Sequence, residues 1–382
     1  MKNNKISRRF FLAGTAAAAT LALTPKSFAQ KENVISHRGG YGPPLGIAKL
    51  NGNENPYGPS KKALNAINEA SKKGSYYVHH SGKKLRSMIA ERHGLTPDHI
   101  ALSSGSTVVL TNVALASLKN GNILAPDLFW DSTAKLASKV SNYDLKRLPS
   151  NKTHEIDLEA MKRSISDKIS LVQITNPNNP TGSVLENIKL KEFCREVSKS
   201  CNILIDEAYN ELTDNPEAST MIPLIKEGKN IIITRTFSKI HGLAGMRIGY
   251  IVARPDLLEE IKKFGIIGDW TTNQAGIAAA IASYNDKDFL NYSKSRIIEG
   301  KEMVMEAVKS NGLSALPSKA NFVFVNLGSL NAEKYKIAMA KRNIIISGIY
   351  RNHKNWSRVS MGKIEDVKRY IEVMPKVLDE IS

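Results

Sequence analysis

Short apolar runs alternate with amphipathic segments through the middle of the chain, and this alternation predicts a layered α/β fold. Strands are predicted where apolar and β-branched residues cluster, at residues 100–103, 122–125, 169–175, 202–205, 230–234 and 248–253. Helices are predicted between them, ending near residue 118 and spanning about 132–140 and 187–199. Short apolar strands separated by helices form mostly parallel sheets, which bind ligands at the carboxyl ends of their strands.

The pattern changes on both sides of this central region. Upstream, helices are predicted at about 60–72 and 83–93, separated by loops rich in Gly, Pro and Asn. From about Phe289 onward, a long charged helix is followed by short strands and two further helices, which predicts a smaller α+β domain. We therefore expect a signal peptide at residues 1–29 and an arm with a helix that joins the small domain at residues 30–74. The large domain is expected at residues 75–285 and the small domain at residues 286–382.

The first 29 residues predict a secretory signal peptide. Ser7-Arg8-Arg9-Phe10-Phe11-Leu12 precedes a short Ala-rich apolar run, and Ser27-Phe28-Ala29 supplies a small-x-small cleavage site. Paired arginines followed by Phe and Leu are typical of twin-arginine signals, whose machinery exports folded proteins. The run is too short for the alternative, a membrane anchor, which needs about 20 apolar residues. We therefore expect a periplasmic protein that loads its cofactor before export.

Composition adds few further constraints. The net charge is +18, but Lys and Arg are spread along the chain, and no zinc-finger or helix-turn-helix pattern occurs, so no nucleic-acid partner is expected. Cys194 and Cys201 are too few for a disulfide framework, and we favour free thiols, although their spacing leaves room for one bridge. His79 and His80 are adjacent and point in different directions, so no metal site is expected.

Candidate chemistry is concentrated in a few segments that follow predicted strands. Gly105-Ser106-Thr107 opens a helix, whose free backbone amides can hold an anion. The segment from Asn176 to Gly182 forms a rigid turn that presents an amide, and Asp206-Glu207-Ala208-Tyr209 supplies a carboxylate and a phenol. Ser238-Lys239 lies in a glycine-rich loop, and Arg247 follows eight residues after the lysine.

Pyridoxal phosphate is a cofactor that needs this combination. Its phosphate binds helix-start amides, hydroxyls and an arginine, and its ring nitrogen needs a carboxylate to stay protonated. Its phenolic oxygen accepts hydrogen bonds from an amide and a tyrosine, and its aldehyde needs a lysine amine. Asp206 alone could cap a turn and Arg247 alone could form a structural ion pair, but the ordered set predicts the cofactor.

These segments resemble a known family. Asn-Pro-Thr-Gly at 179–182, Asp-x-Ala-Tyr at 206–209 and Ser-Lys-x-x-Gly-Leu-x-Gly-x-Arg-x-Gly at 238–249 occur in the order typical of fold type I, class I and II aminotransferases. Asn-Glu-Asn-Pro-Tyr-Gly-Pro at 53–59 and Arg-Val-Ser-Met-Gly at 358–362 resemble the histidinol-phosphate aminotransferase branch. The resemblance implies a large domain with a mostly parallel seven-stranded sheet plus a smaller α+β domain. It also implies transamination of an amino acid or an amino-alcohol phosphate with a 2-oxo acid.

The resemblance further implies a role for each matching residue. Lys239 would bind the cofactor covalently and act as the catalytic base, while Asp206 would pair with the ring nitrogen. Asn179 and Tyr209 would donate to the phenolic oxygen, and Arg358 would bind the substrate carboxylate. The phosphate ligands would be Ser106, Thr107, Ser238 and Arg247. Tyr57 would face the substrate, unless it only packs within its turn. Tyr77 would reach the cofactor phosphate of a partner in a homodimer, unless it is only a surface aromatic.

The sequence departs from the family pattern at three places. Val108 stands where relatives often have an acid, and the tyrosine loop reads Tyr77-Val78-His79-His80, where relatives commonly have a proline and an acid. Leu128 stands where the ring-stacking aromatic usually lies, so Phe129, and then Trp130, are the candidates for stacking. These departures leave the substrate open, and a decarboxylase, lyase or racemase on the same fold is the alternative. A regulator is disfavoured, because regulators on this fold carry an added DNA-binding domain and this sequence is predicted to have a signal peptide in that place.

Overall fold

The computed structural model describes residues 40–149, 151 and 153–382. The predicted signal peptide, at residues 1–29, lies outside these residues, as do residues 30–39 of the predicted arm. Residues 40–45 form an exposed irregular segment, whereas residues 46–382 form a separate compact unit that holds all the elements below. The division of this unit into a large and a small domain stays a prediction.

The strands and helices are numbered in chain order. The strands are β1 Ala48–Lys49, β2 Ile100–Ser103, β3 Asn122–Pro126, β4 Leu145–Leu148, β5 Ile169–Thr175, β6 Asn202–Asp206, β7 Ile231–Thr236, β8 Gly249–Val252, β9 Ser314–Ala315, β10 Phe322–Asn326, β11 Ile344–Ile345 and β12 Trp356–Ser360. The helices are α1 Lys61–Ser71, α2 His80–His93, α3 Ser106–Ser117, α4 Ser132–Ser138, α5 Leu158–Arg163, α6 Asn187–Val197, α7 Pro216–Ser219, α8 Pro223–Lys226, α9 Pro255–Lys262, α10 Gln274–Tyr284, α11 Lys287–Ser310, α12 Ala332–Ala340 and α13 Ile364–Ile381.

Seven strands form the main sheet, in the order β2-β8-β7-β6-β5-β3-β4. The pairs from β7 through β4 are parallel, while β8 runs antiparallel to both of its neighbours. Buried aliphatic residues of β3, β5, β6, β7 and β8 supply apolar cores on both faces of the sheet. The predicted mostly parallel seven-stranded sheet is therefore confirmed. Burial on both faces is typical of parallel strands that helices cover on each side.

A second sheet is formed by β12, β10 and β9, which are antiparallel. Residues of α11, α12 and α13 join these strands in a separate apolar core around Tyr335 and Tyr370. The short strand β1 pairs in parallel with β11, so that Ala48 lies opposite Ile344. This pairing anchors the chain just before the Asn-Glu-Asn-Pro segment, which then enters the site described below.

Some element boundaries differ from the prediction. Helix α2 begins at His80, three residues earlier than expected, and β4, α5, α9 and α10 were not predicted. Cys194 and Cys201 are free and buried, and burial raises their thiol pKa values to about 12 and about 11. Within residues 40–149, 151 and 153–382, no helix has the length and apolar character needed to cross a bilayer.

Candidate active site

A cavity of about 260 Å³ lies at the edge of the main sheet where β2, β5, β6 and β7 end. Nine of the twelve predicted site residues line it: Ser106, Thr107, Asn179, Asp206, Tyr209, Ser238, Lys239, Arg247 and Arg358. A larger groove of about 580 Å³ lies elsewhere and contains none of these side chains. The chemistry of the lining, rather than size, therefore selects the smaller cavity as the candidate active site.

Asp206 is the last residue of β6 and is only 5% exposed. Thr234 on the neighbouring strand β7 donates a hydrogen bond from Oγ1 to Asp206 Oδ1 at 3.0 Å. Burial raises the pKa of this carboxyl to about 6, while the Thr234 hydroxyl and the Lys239 ammonium favour the ionised form. Asp206 is therefore mostly ionised at neutral pH and can pair with a protonated ring nitrogen.

Lys239 lies in the loop between β7 and β8, with its Nζ 5.4 Å from the ring centroid of Tyr209. Burial and the positive charges of Arg358 and Arg247 lower the pKa of this amine to about 8, against the opposing effect of Asp206. Lys239 is therefore neutral far more often near neutral pH than an ordinary lysine, and a nucleophile or a proton acceptor must be neutral.

The loop that carries Lys239 is held by close backbone packing. Gly242 has φ +66°, and a Cβ there would lie 2.5 Å from the Cα of Gly58. Asn55 adds a hydrogen bond from Nδ2 to the carbonyl of Ile240 at 2.7 Å. The Asn-Glu-Asn-Pro-Tyr-Gly segment and the lysine loop are therefore packed against each other, although they lie almost 200 residues apart in sequence.

Tyr209 and Asn179 meet beside the carboxylate. Asn179 Nδ2 lies 3.4 Å from the Tyr209 hydroxyl oxygen, which also accepts a shorter hydrogen bond of 2.8 Å from Asn53 Nδ2. Ser360 in turn donates to Asn53 Oδ1 at 2.6 Å. Because two amides occupy the acceptor side of the phenol oxygen, its proton is directed toward the cavity.

Arg358 on β12 supplies a fixed guanidinium. Its Nη1 donates to Asn179 Oδ1 at 2.7 Å, and its Nη2 donates to the carbonyl of Asn51 at 2.8 Å and to Ser347 Oγ at 3.3 Å. The Nε group has no hydrogen-bond partner among the described residues, although the side chain is buried. An unpaired donor on an oriented guanidinium suits an anionic ligand, such as a carboxylate.

The other end of the cavity is suited to a phosphate. Helix α3 begins at Ser106, where its first backbone amides are free to hold an anion, and the Arg247 guanidinium lies next to Gly105 with its Nη1 3.4 Å from Ser238 Oγ. Gly105 has φ +77°, and a Cβ there would lie 2.1 Å from Arg247 Nη2. Ser238 also accepts a hydrogen bond of 2.8 Å from Thr236. The glycine thus lets the arginine and the helix start converge on one anion.

Three predicted site residues do not line the cavity. Phe129, the first candidate for the stacking aromatic, is buried in the apolar core beneath the guanidinium of Arg147, whereas Trp130, the second candidate, lines the cavity. The Tyr57 hydroxyl accepts a hydrogen bond from the Ile364 amide at 3.0 Å, outside the lining. Tyr77 is 77% exposed, so it does not contact the cavity of its own chain.

The structure also adds residues that sequence reasoning did not single out. Asn53 and Thr175 line the cavity, Thr234 contacts Asp206, and the carbonyl of Asn51 contacts Arg358. Asn51 and Asn53 lie within or beside the segment that resembles the family, so its asparagines were an available signal. Thr175 and Thr234 gave no such signal, because only the strand register places them next to Asp206.

The residues present fit pyridoxal phosphate. The cavity combines one ionised carboxylate, one partly neutral lysine, a phenol with an amide, and a helix start beside an arginine. Two buried polar atoms of the lining, Thr175 Oγ1 and Arg358 Nε, have no partner among the described residues, which is expected where a polar ligand belongs. This donor set matches the phosphate, ring and aldehyde of the cofactor.

Residues 46–374 match the family described as aminotransferase class I and II, and the chain belongs to this family. It is 31% identical over 334 residues to a histidinol-phosphate aminotransferase of Brevibacillus brevis, covering 87% of this chain and 90% of the relative. Histidinol-phosphate aminotransferase 2 of Haemophilus influenzae is likewise 31% identical over 337 residues, covering 87% and 90%.

A solved structure is similar over the same region. The histidinol-phosphate aminotransferase of Sinorhizobium meliloti, in complex with pyridoxal-5'-phosphate, matches with a TM-score of 0.79 and 26% identity, covering 87% of this chain and 91% of that one. Together with family membership, this identifies the chain as a pyridoxal-phosphate-dependent aminotransferase. The predicted fold, cofactor and reaction class are thereby confirmed.

Proposed function

We propose that this protein transfers an amino group between an amino-alcohol phosphate of the histidinol phosphate type, or an amino acid, and a 2-oxo acid. The histidinol-phosphate aminotransferases to which it is similar support this substrate class. The observation that carries the proposal is the arrangement of Arg358 and Lys239 in one cavity, with an anion ligand and a proton acceptor around the same space. Both co-substrates carry an anionic group that Arg358 can bind.

Each residue contributes a defined step. Pyridoxal phosphate, when bound, carries the amino group and supplies an electron sink. The α3 amino terminus, Ser238 and Arg247 would hold its phosphate, and Asp206 would keep its ring nitrogen protonated. Tyr209 and Asn179 would donate to its phenolic oxygen. Together these residues would orient the cofactor and its substrate beside Lys239.

Lys239 moves the proton. Its neutral amine would accept the proton from the substrate carbon that bears the nitrogen, which a protonated amine cannot do, and the resulting ammonium would donate that proton back. Arg358 lowers the pKa of this amine, so the same guanidinium that binds the anionic end of the substrate also keeps the base active. Substrate binding and proton transfer are therefore electrostatically coupled.

A titration of single half-reactions tests the proposal. The purified protein is loaded with pyridoxal phosphate, and the cofactor absorbance is followed as histidinol phosphate, glutamate or an aromatic amino acid is added alone. We expect the carbonyl form of the cofactor to convert to the amine form, with histidinol phosphate and glutamate as the best donors. Lys239→Ala should not convert, whereas Lys263→Ala, at an exposed position outside the cavity, should convert normally.

The outcomes separate the alternatives. Conversion by glutamate but not by histidinol phosphate contradicts the phosphate substrate and keeps transamination. A cofactor that returns to its carbonyl form after each turnover, with release of carbon dioxide, indicates a decarboxylase. A protein that captures no pyridoxal phosphate contradicts the cofactor assignment.

We also propose that the protein acts as a homodimer in which Tyr77 serves the partner's site. The supporting observation is that Tyr77 is 77% exposed and lies outside the cavity lining of its own chain. Mixing Lys239→Ala with Tyr77→Ala after unfolding and refolding together should restore part of the activity, because hybrid dimers contain one unaltered site. Activity no greater than the sum of the separate variants contradicts a shared site, and sedimentation measures the assembly itself.

We further propose export to the periplasm by the twin-arginine route. The proposal is supported by Arg8-Arg9 before the apolar run and by Ser27-Phe28-Ala29 after it. In a bacterial host with this route, the mature protein should be recovered from the periplasmic fraction. Replacing both arginines with lysine should retain the precursor in the cytoplasm. The reverse replacement of Lys2 and Lys5 with arginine, outside the arginine pair, should not retain it. Periplasmic recovery of the double-lysine variant contradicts this route.

A further inference from the structure

Asp206 has a threonine beside it on each neighbouring strand. Thr175 on β5 and Thr234 on β7 are both in register with it. Thr234 Oγ1 donates to Asp206 Oδ1 at 3.0 Å, whereas Thr175 Oγ1 has no hydrogen-bond partner among the described residues. Two strands therefore place a hydroxyl at the same level of the sheet, but the structure records a bond to the carboxylate from only one of them.

The Thr234 hydrogen bond is shielded from water. Thr234 is fully buried and Asp206 is 5% exposed, so solvent does not replace the bond when it is removed. A hydroxyl that donates to a carboxylate stabilises the ionised form over the acid, and this effect is strong in a buried site. The hydroxyl also fixes Oδ1, and the backbone amide of Ala208 is a second donor to the carboxylate.

The charged groups around Asp206 make this donor more important once the cofactor is bound. Lys239 favours the ionised carboxylate and Glu207 disfavours it, while Arg247 and Arg358 line the same cavity. When Lys239 bonds to the cofactor, it no longer acts as a free ammonium group. Thr234 is then the neighbouring protein side chain that continues to donate to the carboxylate.

We propose that Thr234 is a positioning residue for Asp206, holding the carboxylate toward the cofactor's ring nitrogen and keeping it ionised. The nitrogen then retains its proton, which the electron-sink chemistry requires. This inference rests on the cofactor, which family membership establishes, and not on the proposed substrate.

The test uses pyridoxal phosphate labelled with ¹⁵N in the ring, bound to the full-length protein without substrate. In the unaltered protein, the ¹⁵N chemical shift should report a protonated nitrogen. Thr234→Val keeps the side-chain shape but removes the hydroxyl, so the proton on the ring nitrogen should shift toward Asp206. The pH at which half of the ring nitrogen is deprotonated should fall by roughly one to two pH units. The dissociation constant of the cofactor should rise roughly tenfold. Thr234→Ser keeps the hydroxyl and should restore both measurements.

The controls separate this role from a general effect on folding. Thr133 on α4 has a buried hydroxyl without a partner among the described residues and lies outside the cavity lining, so Thr133→Val should leave the nitrogen signal unchanged. If Thr234→Val does not fold, Thr234→Ala removes the same hydroxyl with less crowding. An unaltered nitrogen signal in the folded valine or alanine variant overturns the proposal, as does an equal shift in Thr234→Ser. An unaltered protein that captures no cofactor contradicts the cofactor assignment instead.

Discussion

At the scale of single residues, the site depends on buried charges that shift one another's pKa. Lys239 is buried beside the guanidiniums of Arg358 and Arg247 and opposite the carboxylate of Asp206, and its pKa falls to about 8. Each neighbour therefore has a measurable effect on the lysine, even when its own contact is with another part of the ligand.

Replacing Arg358 should change the pH dependence of cofactor capture. Capture requires a neutral Lys239, so in the unaltered apo-protein its rate should rise with pH through about 8 and then level off. Arg358→Met removes a positive charge that disfavours the protonated amine, so the pKa and the midpoint should rise, by roughly one pH unit or less. Stopped-flow absorbance measures the rate. Arg254→Met, at an arginine outside the cavity, should leave the midpoint unchanged, and an unchanged midpoint in Arg358→Met contradicts the coupling.

Adding a methyl group at Gly105 should weaken binding of the cofactor phosphate. Its Cβ would displace the Arg247 guanidinium, so we expect Gly105→Ala to raise the cofactor dissociation constant at least roughly tenfold, as for loss of a charge-assisted hydrogen bond. Gly228 is the control for a positive φ alone, because its φ is +73° and no atom lies within 4 Å of a Cβ there. Gly105→Ala should also lose stability, because φ +77° with ψ 160° is a backbone conformation that essentially only glycine adopts. Equal cofactor affinity in the two variants argues against a phosphate site at Gly105.

At the scale of elements, a buried ion pair joins the ends of β6 and β7 behind the site. Arg235 donates from Nε and Nη2 to Glu207 Oε2 at 3.0 and 2.7 Å, and both side chains are almost fully buried. Glu207 also accepts hydrogen bonds from Thr220 Oγ1 and the Met221 amide. The pair therefore fixes the end of β6, which carries Asp206, and the end of β7, which leads into the Lys239 loop.

Breaking this pair should destabilise the protein strongly. Glu207→Gln removes the nearer of two carboxylates beside the buried Arg235 charge and leaves Glu211, whose Oε1 lies 3.6 Å from Arg235 Nη1. The free energy of unfolding should fall by up to about 3–5 kcal/mol. Glu227 provides the matched control, because it forms an exposed pair with Arg195 at 2.8 Å, and Glu227→Gln should cost less than about 1 kcal/mol. Urea denaturation gives both values, and similar losses in the two variants contradict the importance of burial.

The elements that sequence reasoning predicted well were those with strong local patterns. The apolar strands β5, β6 and β7 were found because each is a continuous buried run. Strand β4 was missed because its Leu-Lys-Arg-Leu sequence lacks such a run, and α10 was missed because it is apolar on all sides and shows no helical periodicity. Local pattern therefore predicts a strand where a short apolar run occurs and a helix where only one side is apolar.

The candidate site was predictable to the extent that its residues follow strands. Asp206 and Lys239 were found from their position after apolar runs, and the structure places both in the cavity. The choice between Phe129 and Trp130 depends on which way each adjacent side chain points, and this is set by tertiary packing. Thr234 contacts Asp206 through strand register, which involves residues 28 positions apart and leaves no local trace in the sequence.

At the scale of the whole molecule, positive charge favours anionic ligands. The chain carries a net charge of +18, and Lys239, Arg247 and Arg358 concentrate positive charge in the cavity. Such a field accelerates the approach of anions and is screened by salt.

Capture of pyridoxal phosphate should therefore slow with ionic strength. We expect its second-order rate constant to fall several-fold between about 0.02 and about 0.3 M salt. The Debye length shortens over this range, so the positive charges attract the phosphate over a shorter distance. Pyridoxal, which has the same aldehyde without the phosphate, is the control and should show little change. Rapid-mixing absorbance measures both rates, and equal salt dependence for the two compounds contradicts electrostatic steering of the phosphate.

The hydrogen bond from Arg358 to the Asn51 carbonyl has a consequence for when the site exists during synthesis. Its two residues are 307 positions apart, and the Ser360–Asn53 bond spans the same distance. A ribosome that adds about 5–20 residues per second makes Asn51 roughly 15–60 s before Arg358. A nascent chain therefore has no complete active site until Arg358 and Ser360 have been translated. The proposed leader is finished first and the site last, so a route that accepts only folded cargo would receive this protein after its synthesis and not during it.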